Sequence, residues 1–294
     1  IGPELLTAAG HTVVYANRDM DVIRREIVDA DAVLVRIIEL PGSLLATAKN
    51  LKIVSKHGVG YDNIDLDYCK SHGIAVTITP NANSLSVAEH AFTLMLTLAK
   101  NIIPVSNEYR TVGFAAKNHT PGIEMTGKTL GLIGMGRIGK YVLHMCKDGL
   151  DMHVIVYDPY ISEVPEGVEK VDDLSELLRR ADVVTLHCLL TDETRKLIDR
   201  ERLALMKPTA LLINCARGPI VDEAALIEAL ENGRLAGAGL DVTDPEPVAP
   251  DSPLFKLPNV IVTPHYAPTT VESATRVSKI AAENINAVLA GKEP

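Results

Sequence analysis

Residues 129–139 read TLGLIGMGRIG, an apolar run that leads directly into three glycines with the spacing G-x-G-x-x-G. The apolar run is typical of a buried parallel strand, and the residues after the glycines are predicted to begin a helix. Gly134 would make the tight turn after the strand, Gly136 would let the backbone approach a pyrophosphate, and Gly139 would let the helix pack closely on the strand. The first turn of such a helix offers unpaired N–H groups to an anion. The order of strand, glycine turn and helix therefore indicates a dinucleotide-binding unit.

An acidic residue, Asp158, closes the next predicted strand, 19 residues after Gly139. Its carboxylate would accept hydrogen bonds from the adenosine ribose hydroxyls and would repel a 2′-phosphate, and neither residue after it is a cation that could bind such a phosphate. We therefore predict NAD rather than NADP as the cofactor, with Arg137 and Ile138 beside the pyrophosphate. The alternative interpretation is a glycine turn and a capping Asp in an α/β domain that binds no nucleotide.

The rest of the chain divides into two series of alternating strands and helices. In the first series, short β-branched runs predict strands at 12–15, 32–35, 51–55 and 75–79, with helices at 19–30 and 41–48. In the second series, strands are predicted at 128–133, 153–157, 182–187, 210–215, 237–242 and 260–263, with helices at 140–148, 173–180, 199–206 and 222–232. Strands that alternate with helices in this way form parallel sheets with helices on both faces.

Two longer helices are predicted outside these repeats, at 84–100 and 270–289. In the first, Ser86 and Glu89 have the spacing of a capping box, and an irregular segment, 110–127, comes after it. The second is too long for a short crossover and is predicted to return to the first domain. We therefore predict an α/β protein of two doubly wound parallel-sheet domains. A Rossmann cofactor domain at 82–265 is inserted in a discontinuous, flavodoxin-like domain formed by 1–81 and 266–294.

The composition argues against several classes of function. The 294 residues carry a formal net charge of −9, and a nucleic-acid partner is not expected because such proteins normally show a basic patch. The four cysteines form no C-x-x-C pair, which favours reduced thiols in the cytoplasm over disulfides. No spacing of His, Asp or Glu suggests a metal site. The most apolar helix, 87–98, is too short to cross a bilayer, so no membrane partner is expected.

Two expectations concern the ends of the chain. No secretory signal is visible, and the first residues already have the pattern of a helix with no initiator Met before them, so the natural chain is expected to begin earlier. No regulatory domain follows Pro294, so feedback control by an appended ligand-binding module is not expected.

Three polar side chains, Arg217, Glu246 and His265, follow the last three predicted strands. Ligands of open α/β sheets bind beyond the carboxyl ends of the strands, so these side chains can converge on one crevice. A histidine titrates near neutrality and can supply the proton that an alkoxide needs after hydride reaches a keto carbon. A carboxylate beside it, Glu246, would orient the ring and favour its protonated form. The planar donor fork of Arg217 would hold a substrate carboxylate and polarise the carbonyl.

The chain resembles a known family in the segments 126–139, 214–223, 239–242 with 245–247, and 263–265. Over essentially its whole length it is similar to the D-isomer-specific 2-hydroxyacid dehydrogenases, and it looks phosphoglycerate dehydrogenase-like. The resemblance implies that Arg217, Glu246 and His265 are the catalytic residues. It also implies that Asp241 contacts the nicotinamide carboxamide, with Ala216 among the cofactor-binding residues. The family further implies an NAD-dependent reaction of a small 2-keto or D-2-hydroxy acid, and a homodimer in which the segment 110–127 embraces the second subunit.

The resemblance also implies substrate-binding residues in the first domain. Val59 and Gly60 match the family's glycine-rich substrate loop, whose backbone N–H groups bind the substrate carboxylate, although a simple strand-to-helix turn would also explain the glycines. Arg36 matches the arginine that phosphoglycerate dehydrogenases place near the substrate phosphate. Further positive charge could come from Lys56, His57 and Arg110. The segment 83–90 matches the family's interdomain helix, so Glu89 and His90 are interpreted as packing and capping residues.

Several functions stay open at this point. The substrate could be 3-phosphoglycerate or phosphohydroxypyruvate, or the enzyme could instead be a glyoxylate or hydroxypyruvate reductase, because Ile37 and Ile38 replace the small polar residues usual after the phosphate-side arginine. Formate dehydrogenases carry Gln at the position of Glu246, which argues against that reaction. The NAD(H)-sensing corepressors that resemble this family keep all three catalytic residues, so a binding protein of that kind is the main alternative to an enzyme.

Overall fold

The computed structural model describes residues 1–294, which form two units, each built on its own parallel sheet. Unit 1 consists of Ile1–Asn83 and Pro268–Pro294, and unit 2 consists of Ser84–Ala267. The α/β class with a Rossmann sheet is therefore confirmed. The assignment of separate functions to the two units stays a prediction.

Ten strands and eleven α-helices make up the two units. The strands are β1 Ala32–Val35, β2 Ile53–Lys56, β3 Ala75–Thr77, β4 Thr129–Ile133, β5 His153–Tyr157, β6 Val168–Lys170, β7 Val183–Leu186, β8 Leu211–Asn214, β9 Gly237–Leu240 and β10 Val260–Val262. The helices are α1 Gly2–Ala8, α2 Met20–Glu26, α3 Gly42–Leu45, α4 Leu66–Ser71, α5 Ser84–Ala99, α6 Ile102–Val112, α7 Arg137–Leu150, α8 Leu174–Arg180, α9 Arg200–Leu203, α10 Glu223–Glu231 and α11 Val271–Leu289. None of these helices has both the length and the apolar character that a membrane crossing requires.

The sheet of unit 1 has three parallel strands in the order β1-β2-β3, with helices on both faces. Successive residues of a strand point to opposite faces, and the central strand β2 is buried on both. Ile53 packs in a cluster with Leu6 of α1 and Ile285 of α11. Val54 packs on the other face with Leu45 of α3 and Cys69 of α4. The long C-terminal helix α11 therefore supplies part of the core of unit 1.

The strand predicted at 12–15 is absent, and this prediction is wrong. These residues belong to no strand and form no ladder with β1, and Val14 and Tyr15 are 57% and 63% exposed. The β-branched run has strand propensity, but propensity is local and a strand also needs a neighbour to bond with.

The sheet of unit 2 has seven parallel strands in the order β10-β9-β8-β7-β4-β5-β6. The six predicted strands are present, and β6 is an additional one that the sequence did not indicate. It has three residues at the sheet edge, two of them charged, so it lacks the apolar run that marks the inner strands. Leu130 and Leu132 of β4 pack in a cluster with α5 and α7, and Ile133 packs in the cluster on the opposite face with α8.

Two local predictions for the segment before β4 need correction. Helix α5 begins at Ser84, so Ser86 lies inside the first turn, where it is buried, and it does not occupy the N-cap of a capping box. The segment 110–127 is not irregular throughout, because it includes the end of α6 and the 3-10 helix Gly113–Asn118. Helix α6 tolerates Pro104 because a proline in the first turn removes no hydrogen bond.

Candidate active site

The glycine turn after β4 has the shape that a dinucleotide needs. Gly134 has φ +89°, and a Cβ there would lie 2.8 Å from the backbone of His187 and Cys188. A Cβ on Gly139 would overlap the carbonyl oxygen of Gly134, so α7 packs directly on the turn. Gly136, the N-cap of α7, faces open space. The turn therefore leaves an open cradle at the helix N-terminus, which fits a pyrophosphate.

Asp158 lies at the carboxyl end of β5 and bonds directly to this turn. Its carboxylate accepts hydrogen bonds from the N–H of Met135 at 2.8 Å and of Tyr160 at 3.0 Å. A carboxylate offers about four acceptor sites, so these two bonds leave capacity for ribose hydroxyls. The hydroxyl of Tyr160 donates to Glu193 at 3.0 Å, and this bond raises the pKa of the tyrosine. Tyr160 thus bonds to Asp158 through its backbone and to Glu193 through its hydroxyl, a link that the sequence did not suggest.

Arg217 follows β8 in a turn that is fixed by Asn214. The buried side chain of Asn214 donates to the carbonyl of Arg217 at 2.9 Å and accepts from the N–H of Ala216 at 3.0 Å. A Cβ on Gly218 would overlap the carbonyl of Thr243, so this turn lies against the loop that follows β9. The partly buried guanidinium of Arg217 donates to the carbonyl of Ala216 at 2.7 Å.

His265 and Glu246 form the pair that the sequence predicted. The distance from His265 Nδ1 to Glu246 Oε1 is 2.7 Å, with the two side chains 33% and 41% exposed. A carboxylate only accepts, so Nδ1 carries a proton and the ring presents Nε2 for proton exchange with a ligand. The peptide bonds before Pro245 and Pro247, on either side of Glu246, are both cis.

Asp241 holds the loop that carries His265. His265 has a left-handed backbone with φ +52°, and its N–H donates to the carbonyl of Asp241 at 2.8 Å. The Asp241 carboxylate, 1% exposed, accepts from the Thr263 hydroxyl at 2.6 Å and from the N–H groups of Tyr266 and Ala267 at 2.7 and 2.9 Å. These bonds compensate for burial of the charge and fix the residues on both sides of His265. The predicted contact of Asp241 with the nicotinamide carboxamide stays a prediction.

In unit 1, the predicted substrate loop follows β2. Gly58 has φ +143°, and its carbonyl accepts both the N–H and the hydroxyl of Thr79, at 2.9 and 3.1 Å. The N–H groups of the next two residues, Val59 and Gly60, donate to no carbonyl or side chain of the protein. Two adjacent free N–H groups on an anchored loop can bind an anion.

Arg36 follows β1, and its guanidinium donates to the Thr269 hydroxyl at 3.3 Å. The nearby Lys56 is 7% exposed, and its ammonium donates to the carbonyl of Arg36 at 2.5 Å and to Asn63. It therefore joins two loops of unit 1. His57 bonds to Ser278 at 3.0 Å, and burial together with the charge of Arg36 lowers the pKa of this histidine. Arg36 is exposed, whereas Lys56 is buried and His57 is partly buried, so Arg36 presents the most accessible charge of these three side chains.

The cysteines and one further, partly buried histidine suggest no further chemistry. All four cysteines are unpaired, and burial raises the pKa of Cys146 to about 12 and that of Cys188 to about 11. Burial lowers the pKa of His187 to about 3, which keeps its ring neutral. No group of three or more His, Cys, Asp or Glu side chains is arranged to hold a metal ion.

Comparison with known proteins places residues 92–267 in a described family. They match the model of the "D-isomer specific 2-hydroxyacid dehydrogenase, NAD binding domain". The D-3-phosphoglycerate dehydrogenase of Methanocaldococcus jannaschii is 43% identical over 293 residues, covering 98% of this chain and 55% of that protein. The glyoxylate reductase of Thermofilum pendens is 39% identical over 308 residues, covering 100% of this chain and 89% of that protein. The chain spans about half the length of the phosphoglycerate dehydrogenases that it matches.

Solved structures share the fold over nearly the whole chain. The TT0316 protein of Thermus thermophilus superposes with a TM-score of 0.89 and 36% identity, covering 100% of this chain and 94% of that one. The D-lactate dehydrogenase of Aquifex aeolicus, solved with NAD and lactic acid, has a TM-score of 0.83 and 35% identity, covering 91% and 85%.

Proposed function

The chain belongs to the D-isomer-specific 2-hydroxyacid dehydrogenase family, whose NAD-binding domain it contains, and we propose that it transfers hydride between NAD and a small 2-keto or D-2-hydroxy acid. The observation that carries this proposal is the His265–Glu246 pair, a proton donor and its carboxylate in the same unit as the glycine turn and Asp158. The pair supplies the acid-base chemistry that reduction of a keto acid needs and that a cofactor site alone does not provide.

Unit 2 has the groups that a dinucleotide requires. The glycine turn Gly134 to Gly139 and the first N–H groups of α7 would hold the pyrophosphate, with Arg137 and Ile138 beside it, and Asp158 would hold the adenosine ribose. We also propose that Ala216 and Asp241 contact the nicotinamide end of NAD. NAD, when bound, supplies or accepts the hydride.

The residues of the chain supply the proton and the charge complementarity. During reduction, Nε2 of His265 donates a proton to the substrate oxygen, while Glu246 keeps Nδ1 protonated and the ring oriented. During oxidation, the same nitrogen accepts the proton. Arg217 binds the substrate carboxylate and polarises the carbonyl with its donor fork. From unit 1, we propose that the N–H groups of Val59 and Gly60 also bind the carboxylate.

Turnover with NADH and a panel of 2-keto acids tests this proposal and separates an enzyme from a sensor. We expect oxidation of NADH by the wild type and formation of the D-hydroxy acid. His265→Asn should lose about 10²- to 10⁴-fold in kcat, the usual contribution of a general acid, while it still binds NADH. Binding of NADH by the wild type without turnover of any keto acid would instead favour the corepressor-like alternative.

The proposed substrate is phosphohydroxypyruvate, or 3-phosphoglycerate in the oxidative direction. Arg36 supports this choice because its guanidinium is exposed, whereas the ammonium of Lys56 is already bonded within unit 1. A glyoxylate or hydroxypyruvate reductase is the second candidate, because the glyoxylate reductase of Thermofilum pendens matches along 89% of its own length.

The two substrates are separated by kcat/KM for phosphohydroxypyruvate against hydroxypyruvate and glyoxylate. We expect the phosphorylated acid to be preferred. Arg36→Gln should lower kcat/KM for the phosphorylated acid much more than for the other two, since only the phosphorylated acid has a phosphate for Arg36 to bind. Equal or lower kcat/KM for the phosphorylated acid would favour the reductase.

We also propose a homodimer and a cytoplasmic location. Exposed apolar side chains lie along α6 and in the segment 110–127, which contains three of them. An apolar surface of this kind commonly marks a protein interface. The exposed fractions are 54% for Ile102, 59% for Tyr109, 49% for Val112, 72% for Phe114 and 43% for Ile123. The four unpaired cysteines support a reducing compartment.

A further inference from the structure

His90, on helix α5, contacts two of the residues that flank the proton donor. Its Nε2 lies 3.0 Å from the Thr263 hydroxyl oxygen and 3.5 Å from Asp241 Oδ1. Its ring also meets the ring of Tyr266 edge to face, with centroids 6.1 Å apart at 62°. Thr263 and Tyr266 precede and follow the Pro264-His265 segment, so His90 supports the loop on both sides.

The directions of the hydrogen bonds show that Nε2 of His90 carries a proton. The Thr263 hydroxyl donates to Asp241 Oδ1 at 2.6 Å, so its oxygen can only accept from His90. Nε2 of His90 therefore carries a proton and donates it. The result is a chain of bonds from His90 through Thr263 to the buried carboxylate of Asp241, which holds Tyr266 and Ala267.

Helix α5 makes a rigid base for this chain of bonds. Val87, Ala88, Ala91 and Leu94 are buried against the sheet of unit 2 and α7. His90 itself is 16% exposed, so its ring is held in place between the helix and the loop. A side chain anchored in this way can maintain a strained backbone such as that of His265, whose φ is +52°.

We propose that His90 is a positioning residue for catalysis, which acts through Thr263 and Asp241 to keep His265 aligned with Glu246. It touches neither substrate nor cofactor in this role. The inference rests on the proposed function, since it assigns His90 to the same proton-transfer site.

Two substitutions separate positioning from simple packing. The amide nitrogen of Gln can occupy the place of Nε2 and still donate to Thr263, whereas the shorter Asn reaches only the place of Nδ1. His90→Asn should lower kcat by about five- to tenfold, the loss expected when one hydrogen bond is misplaced. His90→Gln should restore most of that loss. His144→Asn, at a 75% exposed position on α7, is the matched control and should leave kcat unchanged.

The dissociation constant of NADH should stay within about twofold of wild type in the His90 variants, because the glycine turn and Asp158 are untouched and Asp241 keeps its bonds to the N–H groups of Tyr266 and Ala267. NMR of histidine-labelled protein gives a readout that does not depend on turnover. The ring signals of His265, assigned with His265→Asn, should shift in His90→Asn and return towards wild type in His90→Gln.

Equal loss of kcat in His90→Asn and His90→Gln, or unchanged kcat in both, would overturn the inference while leaving the proposed function intact. If the wild type reduces no keto acid, the proposed function fails. The NMR comparison then decides by itself, and unmoved His265 signals in His90→Asn would show that His90 does not position the ring.

Discussion

At the scale of single residues, the bond between His265 and Glu246 leads to a prediction about turnover. The Glu246 carboxylate accepts the Nδ1 proton of His265 at 2.7 Å and thereby orients the ring. Glu246→Gln keeps an acceptor oxygen but removes the charge, so the bond to Nδ1 should weaken and kcat/KM for keto-acid reduction should fall. We expect this loss to be smaller than that of His265→Asn, which removes the proton donor itself. An unchanged kcat/KM in Glu246→Gln would mean that Glu246 is not coupled to the proton donor.

At the same scale, we propose that Asp158 determines the cofactor preference. Its carboxylate is held towards the glycine turn by the N–H of Met135 and also accepts the N–H of Tyr160. Asp158→Ser should reduce the ratio of kcat/KM with NADH to kcat/KM with NADPH, mainly because NADH binds more weakly. Glu163→Ser, at an exposed position after β5, is a control and should leave the ratio unchanged. If the ratio is the same in Asp158→Ser and wild type, the ribose binds elsewhere.

At the scale of elements, the packing of α7 on the glycine turn is tested by alanine substitution. Gly139→Ala places a methyl group against the Gly134 carbonyl, a backbone atom that cannot rotate away. We expect a loss of about 1–3 kcal/mol in the free energy of unfolding and weaker NADH binding. Gly149→Ala lies in the same helix with open space around it and should stabilise the protein by up to about 1 kcal/mol. Thermal unfolding and NADH titration give both quantities, and equal behaviour of the two variants would contradict the close packing.

Asp182 joins two further elements of the sheet. It accepts the N–H of Thr129 at the start of β4, at 2.9 Å, and the ammonium of Lys207 at 2.8 Å. Burial opposes its ionisation, but the bonds from Lys207 and Thr129 outweigh burial and hold the pKa of the carboxyl below its ordinary value of 3.8.

A lowered pKa in the folded protein means that the stabilisation is present above the ordinary carboxyl value and is lost as the pH falls through the lowered one. Asp182→Asn should lower the free energy of unfolding by about 1–2 kcal/mol at neutral pH. This is near the lower end of what hydrogen bonds to charged groups contribute, because Lys207 is partly exposed. Urea unfolding at several pH values measures this difference, which should shrink in acid. Asp172→Asn, at a 92% exposed position, should change stability by less than about 0.5 kcal/mol. A difference that stays constant with pH would exclude the ionised pair as its cause.

At the scale of the whole molecule, the exposed apolar residues of α6 and the segment after it predict self-association. Light scattering at micromolar concentration should give a dimer for the wild type. Phe114→Glu, at a 72% exposed position, should shift the mass towards the monomer because it would bury a charge in the interface. Val271→Glu, at an 81% exposed position outside this surface, should remain dimeric. A monomeric wild type would remove the proposal.

The amino-acid sequence alone determined the features that depend on neighbouring residues. The strand, glycine turn and helix at 129–139, the acid at Asp158 and the β-branched runs of the inner strands could all be identified because local spacing specifies their chemistry. His265 and Glu246 could be paired because both follow strands that end at the same edge of the sheet. Where a strand needed a partner, local pattern was insufficient, as with the absent strand at 12–15 and the polar edge strand β6.

Only the tertiary structure decided how the loop that carries His265 is held. Asp241 bonds to Ala267, 26 residues away, and His90 bonds to Thr263, 173 residues away. Neither contact has a local signature, because an acid after a strand or a histidine in an apolar helix is compatible with many partners. Folding brings these groups within bonding distance, and the cost of burying the Asp241 charge makes its bonds to the His265 loop obligatory.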